Sequence, residues 1–428
     1  MTTESLTRTP DKRPIIYALG RLFTRQFSPT PTGIDRLDLR YAHWLLQQKK
    51  AGRSVFYVRQ VCNVMRLVSD AEAERLIGEL WQKWVENNPK SINTLLRKIE
   101  GELFWFRNRI LSMLKPAVDA KLIRVLNGLA KPIYLNAAHI GAQFGPVHQL
   151  LRDTTDAELL FYLHDIIPID FPEYFSNIRG DVIHQGRVQV MAEQGARVLV
   201  NSTHTAERFI TYSRSRGWPT PPTELLKIGV EDHIIEAAGL PKKPVPLSIA
   251  SKLDGQPYFV TVGTIEPRKN HLLLLHIWRT MAAESLHNGK PCPKLVLIGR
   301  RGWENENIID LLDRSPSIRE NVIEVNGMSD DDLITTIQHA KALLMPSFEE
   351  GWGIPLAEAL TLGTPAICSD IPALRECGQG KATYLSSLDG FGWLHAINEV
   401  RNGIKADEPI RYIADTWIDH LSNLSKLF

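Results

Sequence analysis

Two glutamates, Glu350 and Glu358, stand eight residues apart in the stretch SFEEGWGIPLAEALTLGTPAICSD. Gly351 and Gly353 bare the backbone beside the first, and Pro355 falls where a helix would begin. A carboxylate accepts two hydrogen bonds, so such a pair suits the vicinal diols of a sugar or a ribose. The unpaired amides of Gly351, Trp352, Gly353 and Ile354 at a helix start would add donors and the positive end of a helix dipole. A second group lies in FVTVGTIEPRKNHLLLL, where Gly263 allows a tight strand exit and Arg268 and Lys269 precede a helix. Two cations at that place would neutralise a diphosphate whose bond to carbon is breaking.

Both groups need strands that deliver them to one edge. Short Val/Ile/Leu-rich runs at 14–20, 54–61, 132–139, 158–166 and 197–203, then at 258–264, 294–300, 321–327, 342–347 and 365–370, alternate with helical patterns. Continuous apolar runs bounded by turn residues predict strands buried on both faces, hence parallel sheets. The reading is α/β, with two Rossmann-like domains of parallel sheets facing across a cleft. Pro241, Pro244, Pro246 and Pro257 mark the connection. The domains are placed at 1–245 and at 246–410, with a helix over 411–428 that crosses back to the first and carries Ile413, Trp417, Leu421 and Leu424 at helical spacing.

In the first domain, Gly33 opens a helix with Ile34, Leu37, Tyr41, Trp44 and Leu45 on its apolar face. His164 and Asp165 end a buried strand, where a polar pair needs a cleft or partners. Residues 80–126 break the alternation with a long helical insertion. Basic residues outnumber acidic ones there, and Phe104, Trp105, Phe106, Leu111 and Leu114 are interleaved with them. Two readings stay open: an element lying on an anionic membrane surface, or a helix packed on its own domain. Ser329 to Asp332 read as an N-cap with an acidic first turn rather than a metal site.

The 428 residues carry 50 basic and 48 acidic side chains, with 43% hydrophobic content. That is a folded chain whose charge implies no nucleic-acid partner. Cys62, Cys292, Cys368 and Cys377 show no paired spacing, which fits a reducing compartment and neither zinc nor a disulfide framework. The polar N-terminal stretch lacks the core of a signal peptide, and no run reaches about 18 apolar residues. The expected location is the cytoplasm, with contact at the inner face of the plasma membrane if the insertion meets lipid.

The paired-Glu stretch resembles the signature of glycosyltransferase family 4, the retaining enzymes of GT-B fold, and in particular bacterial mannosyltransferases of surface polysaccharide synthesis. Glu350, Glu358, Gly351, Trp352, Gly353, Pro355, Gly363, Thr364 and Pro365 match it, and GTIEPRKNH resembles the family's basic motif, with Thr264 where many relatives have arginine. The resemblance implies that Glu350 and the amides after it hold the donor sugar, that Glu358 holds the ribose, and that Lys269, with Arg268, takes the pyrophosphate. It further implies that Gly263, Gly299, Arg300, Asn326, Gly327 and Met328 line the nucleotide pocket. PTGIDR, containing Gly33, and HDIIP…PEYF resemble the family's acceptor-side loops, and the second implies a catalytic His164 that positions the reacting sugar at the acceptor, with Asp165 beside it. The implied activity is transfer of a hexose, mannose first, from a GDP- or UDP-linked sugar to a glycan or lipid-linked oligosaccharide, with no metal required. Two alternatives share the architecture or the motifs: a sugar-nucleotide epimerase, and a non-catalytic partner of a glycan-assembly complex.

Overall fold

The computed structural model of the chain describes residues 13–86, 94–175, 180–404 and 411–428. The polar N-terminal stretch, part of the 80–126 insertion and the expected domain limit at 410 lie outside the described residues.

Fourteen strands are described: β1 Ile15–Ala18, β2 Val55–Val61, β3 Val64–Leu67, β4 Ala117–Val118, β5 Ile133–Asn136, β6 Glu158–Leu163, β7 Arg197–Val200, β8 Thr223–Leu225, β9 Tyr258–Val262, β10 Lys294–Ile298, β11 Val322–Val325, β12 Leu343–Met345, β13 Ala366–Ser369 and β14 Thr383–Leu385. They form two sheets, ordered β4-β3-β2-β1-β5-β6-β7-β8 and β11-β10-β9-β12-β13-β14. Each of the ten sequence-predicted runs contains a strand. In the central strands burial on both faces is nearly complete, as in Ile15–Ala18 and Lys294–Ile298, because helices cover both sides.

Two sequence expectations need correction. The first sheet is not wholly parallel, since β2 and β3 pair antiparallel through a turn in which Cys62 takes φ 48°. That tight hairpin leaves only two residues between the strands, and the run read at 54–61 stops before the second of them. The 80–126 segment is not purely a helical insertion either: β4 within it adds to the sheet edge beside β3.

The second sheet has the three-two-one-four-five-six order of a doubly wound fold, with the reversal between β9 and β12. In the first sheet the reversal falls between β1 and β5. Ligand crevices open at such points, beyond the carboxyl ends of the strands. The helix Trp417–Ser425 returns to the first domain: His420 Nδ1 lies 2.6 Å from Lys227 O and its Nε2 2.7 Å from Tyr41 Oη. Trp417 and Leu424 are buried there, whereas Ile413 lies ahead of the helix and is exposed, so the apolar stripe starts one turn later than its spacing suggests.

Candidate active site

The reversal between β9 and β12 sets the two chemistry-bearing loops side by side. After β9, residues Pro267–Lys269 form a short 3-10 turn; after β12, residues 346–353 lead to the helix Ile354–Thr361, with Pro355 in its first turn. The loops are stitched together by Phe348 N donating to Arg268 O (2.9 Å) and by Arg268 Nη1 donating to Glu349 O (2.7 Å).

At their junction sits a buried ion cluster. Glu350 Oε1 lies 2.5 Å from Lys269 Nζ, and its Oε2 lies 2.8 Å from Arg268 Nη1. Arg268 also reaches Glu266 at 2.7 Å. Burial alone would raise the Glu350 pKa, but Arg268 and Lys269 overcome it and hold the carboxylate down to about 2. Burial likewise pulls the Lys269 ammonium below its ordinary value, with Glu350 opposing. The cluster therefore holds two cations and two carboxylates, Glu266 and Glu350, largely out of bulk water. Adding a diphosphate there would replace Glu350 on the cations with a stronger oxyanion.

Glycine is required where the lobes touch. A Cβ on Gly351 would lie 2.4 Å from His164 O, across the cleft, and Gly353 has φ 123°, with a Cβ meeting Leu374 at 2.6 Å. Ser202 Oγ donates to Gly351 O at 2.9 Å, and Asn201 Nδ2 donates to His164 O at 2.8 Å. Gly33 abuts Ile354, so the N-terminus of helix Gly33–Lys50 meets that of Ile354–Thr361. Two positive helix ends thus face the same crevice. Thr32 caps the first of them through a reciprocal box with Asp35, whose carboxylate also holds Arg21 (2.6 Å) and Arg25 (3.1 Å). The lobes are further closed by Thr203 on Glu376 (2.8 Å), by Trp303 Nε1 on Tyr174 O (2.8 Å), and by the Tyr174 and Phe348 rings stacked at 5.7 Å.

The remaining sequence-predicted residues divide into groups. Asp165 is half-buried beside the cluster; desolvation, opposed by Arg268, raises its pKa to about 6, and its Oδ1 accepts from Ile167 N. His164 departs from expectation. Its ring faces inward, with Nε2 2.8 Å from Ala137 O, and burial lowers its pKa to about 3, so it is its backbone carbonyl that meets Gly351 in the loop after β12. A strand-end imidazole with a carbonyl in reach satisfies itself there. Trp352 also turns inward and packs in the core, with Lys227 Nζ 5.9 Å from its ring centre. Gly263 lies against the Lys269 stem, and Gly299 against the Gly263 carbonyl.

Arg300, Asn326 and Gly327 stand exposed on loops after β10 and β11, and Met328 is half-buried beside Thr336. Ser329 caps the helix Asp330–His339 by accepting from Asp332 N. Glu358 is buried on its helix; burial first, then Glu231 and Asp330, push its pKa to about 7, with Arg36 opposing.

Several residues at this site carry no legible signal in the sequence. Arg36 crosses from the first domain to Asp330 of the second at 3.3 Å. His139, at φ 65°, and His184, whose Nε2 lies 2.9 Å from Asp165 O, pack behind His164. A positive φ at a histidine and a pairing across domains leave no local pattern. The capping box of Thr32 and Asp35 is the one feature here whose spacing was readable.

Residues 248–381 match the family described as Glycosyl transferases group 1. The serotype-specific mannosyltransferase WbdA of Escherichia coli is 30% identical over 235 residues, which is 53% of this chain and 28% of that protein. The O-antigen chain mannosyltransferase B of Escherichia coli is 29% identical over 252 residues, covering 57% of this chain and 59% of the relative. The matches thus span between about a quarter and three fifths of these relatives. Among solved structures, sucrose-phosphate synthase from Thermosynechococcus elongatus superposes with a TM-score of 0.59 at 16% identity, over 97% of this chain and 98% of the other. That likeness is one of fold, and the fold is GT-B. With the basic turn and the paired glutamates set at one crevice inside it, the segment 248–381 of this chain matches the glycosyl transferases group 1 family.

Proposed function

We propose that this chain is a retaining hexosyltransferase that moves mannose from GDP-mannose, or failing that a hexose from a UDP-sugar, to a lipid-linked glycan in surface polysaccharide synthesis. The observation that carries the reading is the cluster of Glu350, Lys269 and Arg268 beside two helix N-termini, with Glu358 on the helix Ile354–Thr361 that follows Glu350. The mannosyltransferase relatives support the choice of sugar.

In this mechanism the donor diphosphate takes Lys269 and Arg268 from Glu350. The freed Glu350 carboxylate and the Gly351 to Ile354 amides then orient the sugar hydroxyls, while Glu358 accepts from the ribose. The bond between the anomeric carbon and the β-phosphate oxygen breaks, and its electron pair leaves with the nucleoside diphosphate. The acceptor oxygen bonds to the same face of that carbon and passes its proton to the departing phosphate. Lys269, Arg268 and the helix ends hold the charge that develops. No metal takes part. Contact with the inner face of the plasma membrane belongs to the same reading, since a lipid-linked acceptor is presented there.

The test is nucleotide release from GDP-mannose and UDP-glucose, with and without a glycan acceptor, in the presence of EDTA. Acceptor-dependent GDP release and a product of retained anomeric configuration are expected. Interconversion of the free sugar nucleotide without acceptor would point to an epimerase, and silence with every donor and acceptor to a non-catalytic partner; either result overturns the proposal.

A further inference from the structure

The helix Thr94–Leu114 is amphipathic in the opposite sense from a helix that packs on a core. At 100° per residue, Ile99, Leu103, Phe106, Ile110 and Met113 fall within one narrow arc. They are 49%, 65%, 60%, 48% and 78% exposed. The face turned to the protein is instead held by polar contacts: Asn108, fully buried, accepts from Arg66 Nε at 3.0 Å and donates to Phe104 O. Phe104 lies over the Arg59 guanidinium, which also covers Phe23. A surface helix ordinarily turns its apolar stripe inward. Here the stripe points away.

We infer that this stripe is a docking surface for an anionic lipid bilayer. Three observations favour lipid over a protein partner. Between Lys98 and Lys115 the chain carries four cations, Lys98, Arg107, Arg109 and Lys115, against Glu100 and Glu102. Arg107 and Glu100 lie on one flank of the apolar arc and Glu102, Arg109 and Lys98 on the other, so three cations against two carboxylates would meet the headgroups as the stripe enters the acyl boundary; Arg109 sits 4.8 Å from the Trp105 ring, an arrangement suited to that interface. Five side chains on one convex helix also fall short of the roughly 800 Å² per partner that a stable protein interface needs.

The third observation is position. Ala117 N, just past the helix, bonds to Asn63 O in the turn at the carboxyl end of β2, the cleft side of the first sheet. A bilayer touching this helix therefore borders the acceptor half of the crevice. No helix among the described residues is long and apolar enough to cross a membrane, so the contact is one of lying on the surface. This deepens the proposed function by naming where a lipid-linked acceptor is met, but its test does not depend on transfer.

The test is vesicle flotation of the full chain. Vesicles of equal parts phosphatidylethanolamine and phosphatidylglycerol should carry the chain upward, and neutral phosphatidylcholine vesicles should carry at least about tenfold less. The variant Leu103→Glu/Phe106→Glu changes only exposed positions; it should keep its melting temperature and lose binding to the anionic vesicles by about tenfold or more. A wild-type chain that ignores anionic vesicles at low salt overturns the inference, whether it sediments as a monomer or as a dimer that the double variant breaks. Equal binding by the double variant overturns it too. Flotation that persists while no donor is turned over would keep this inference and reject the proposed function.

Discussion

Each acidic residue of the site is tuned by what surrounds it. Glu350 and Glu358 share a signature but sit in opposite electrostatic settings: the first is ionised between Arg268 and Lys269, the second is buried with its pKa pushed to about 7. A ribose hydroxyl donates best to a carboxylate, so donor affinity should strengthen as pH rises through about 7, where Glu358 loses its proton. In the donor-free protein the sign is reversed for stability. The raised pKa favours the fold below the unfolded value near 4.5, and that contribution is lost as pH climbs through about 7. Titration calorimetry with GDP-mannose from pH 6 to 8 should show the affinity gain in the wild type and a flat, weaker profile in Glu358→Gln. A profile that keeps its slope in the variant would remove Glu358 from the ribose site. Residue types in the paired-Glu and Arg-Lys stretches were legible because their chemistry is local. The inward turn of His164 was not, since it depends on the Ala137 carbonyl, far away in sequence.

Elements decide which local patterns meet. Strand order sets the loop after β9 beside the loop after β12, and the ten apolar runs were readable because buried parallel strands tolerate few polar residues. Among the strands left unread, β4 has two residues, β8 and β14 three each, and β3 follows its partner after a two-residue turn, too short or too close for periodicity to separate. The element-scale prediction concerns the turn at Gly351. Alanine there would push its methyl against the His164 carbonyl and the Asp165 side chain, an overpacking that typically costs about 1–3 kcal/mol. Because the clash lies between lobes, it should open the cleft rather than unfold either domain. Small-angle scattering should give a larger radius of gyration for Gly351→Ala, with transfer greatly reduced and each domain still folded. An unchanged radius with full activity would mean that the closed contact is irrelevant to function.

Across the molecule, the fold rests on groups that must stay uncharged as well as on ion pairs. His139, His148, His164, His184, His271 and His420 are all buried, and burial lowers each pKa: to about 4 for His148, His184 and His420, to about 3 for His164 and His271, and well below the ordinary value for His139. The unfolded chain takes up protons on these rings below about pH 6.5 and the folded one does not. Their stabilisation is therefore full above that pH and is lost as pH falls toward 4, by up to about 1.4 kcal/mol per histidine per pH unit. Melting temperature should drop steeply between pH 6.5 and 5, and a flat profile would show that these rings are hydrated or paired in the folded state.

The central claim is that Lys269 and Arg268 exchange Glu350 for the diphosphate of a nucleotide sugar. Comparing the affinity of GDP with that of GMP, for the wild type and for Lys269→Ala, addresses it most directly. The account predicts GDP binding at least about tenfold tighter than GMP in the wild type, with most of that difference gone in the variant. Equal affinity for the two nucleotides, or a GDP preference that survives loss of Lys269, would contradict it.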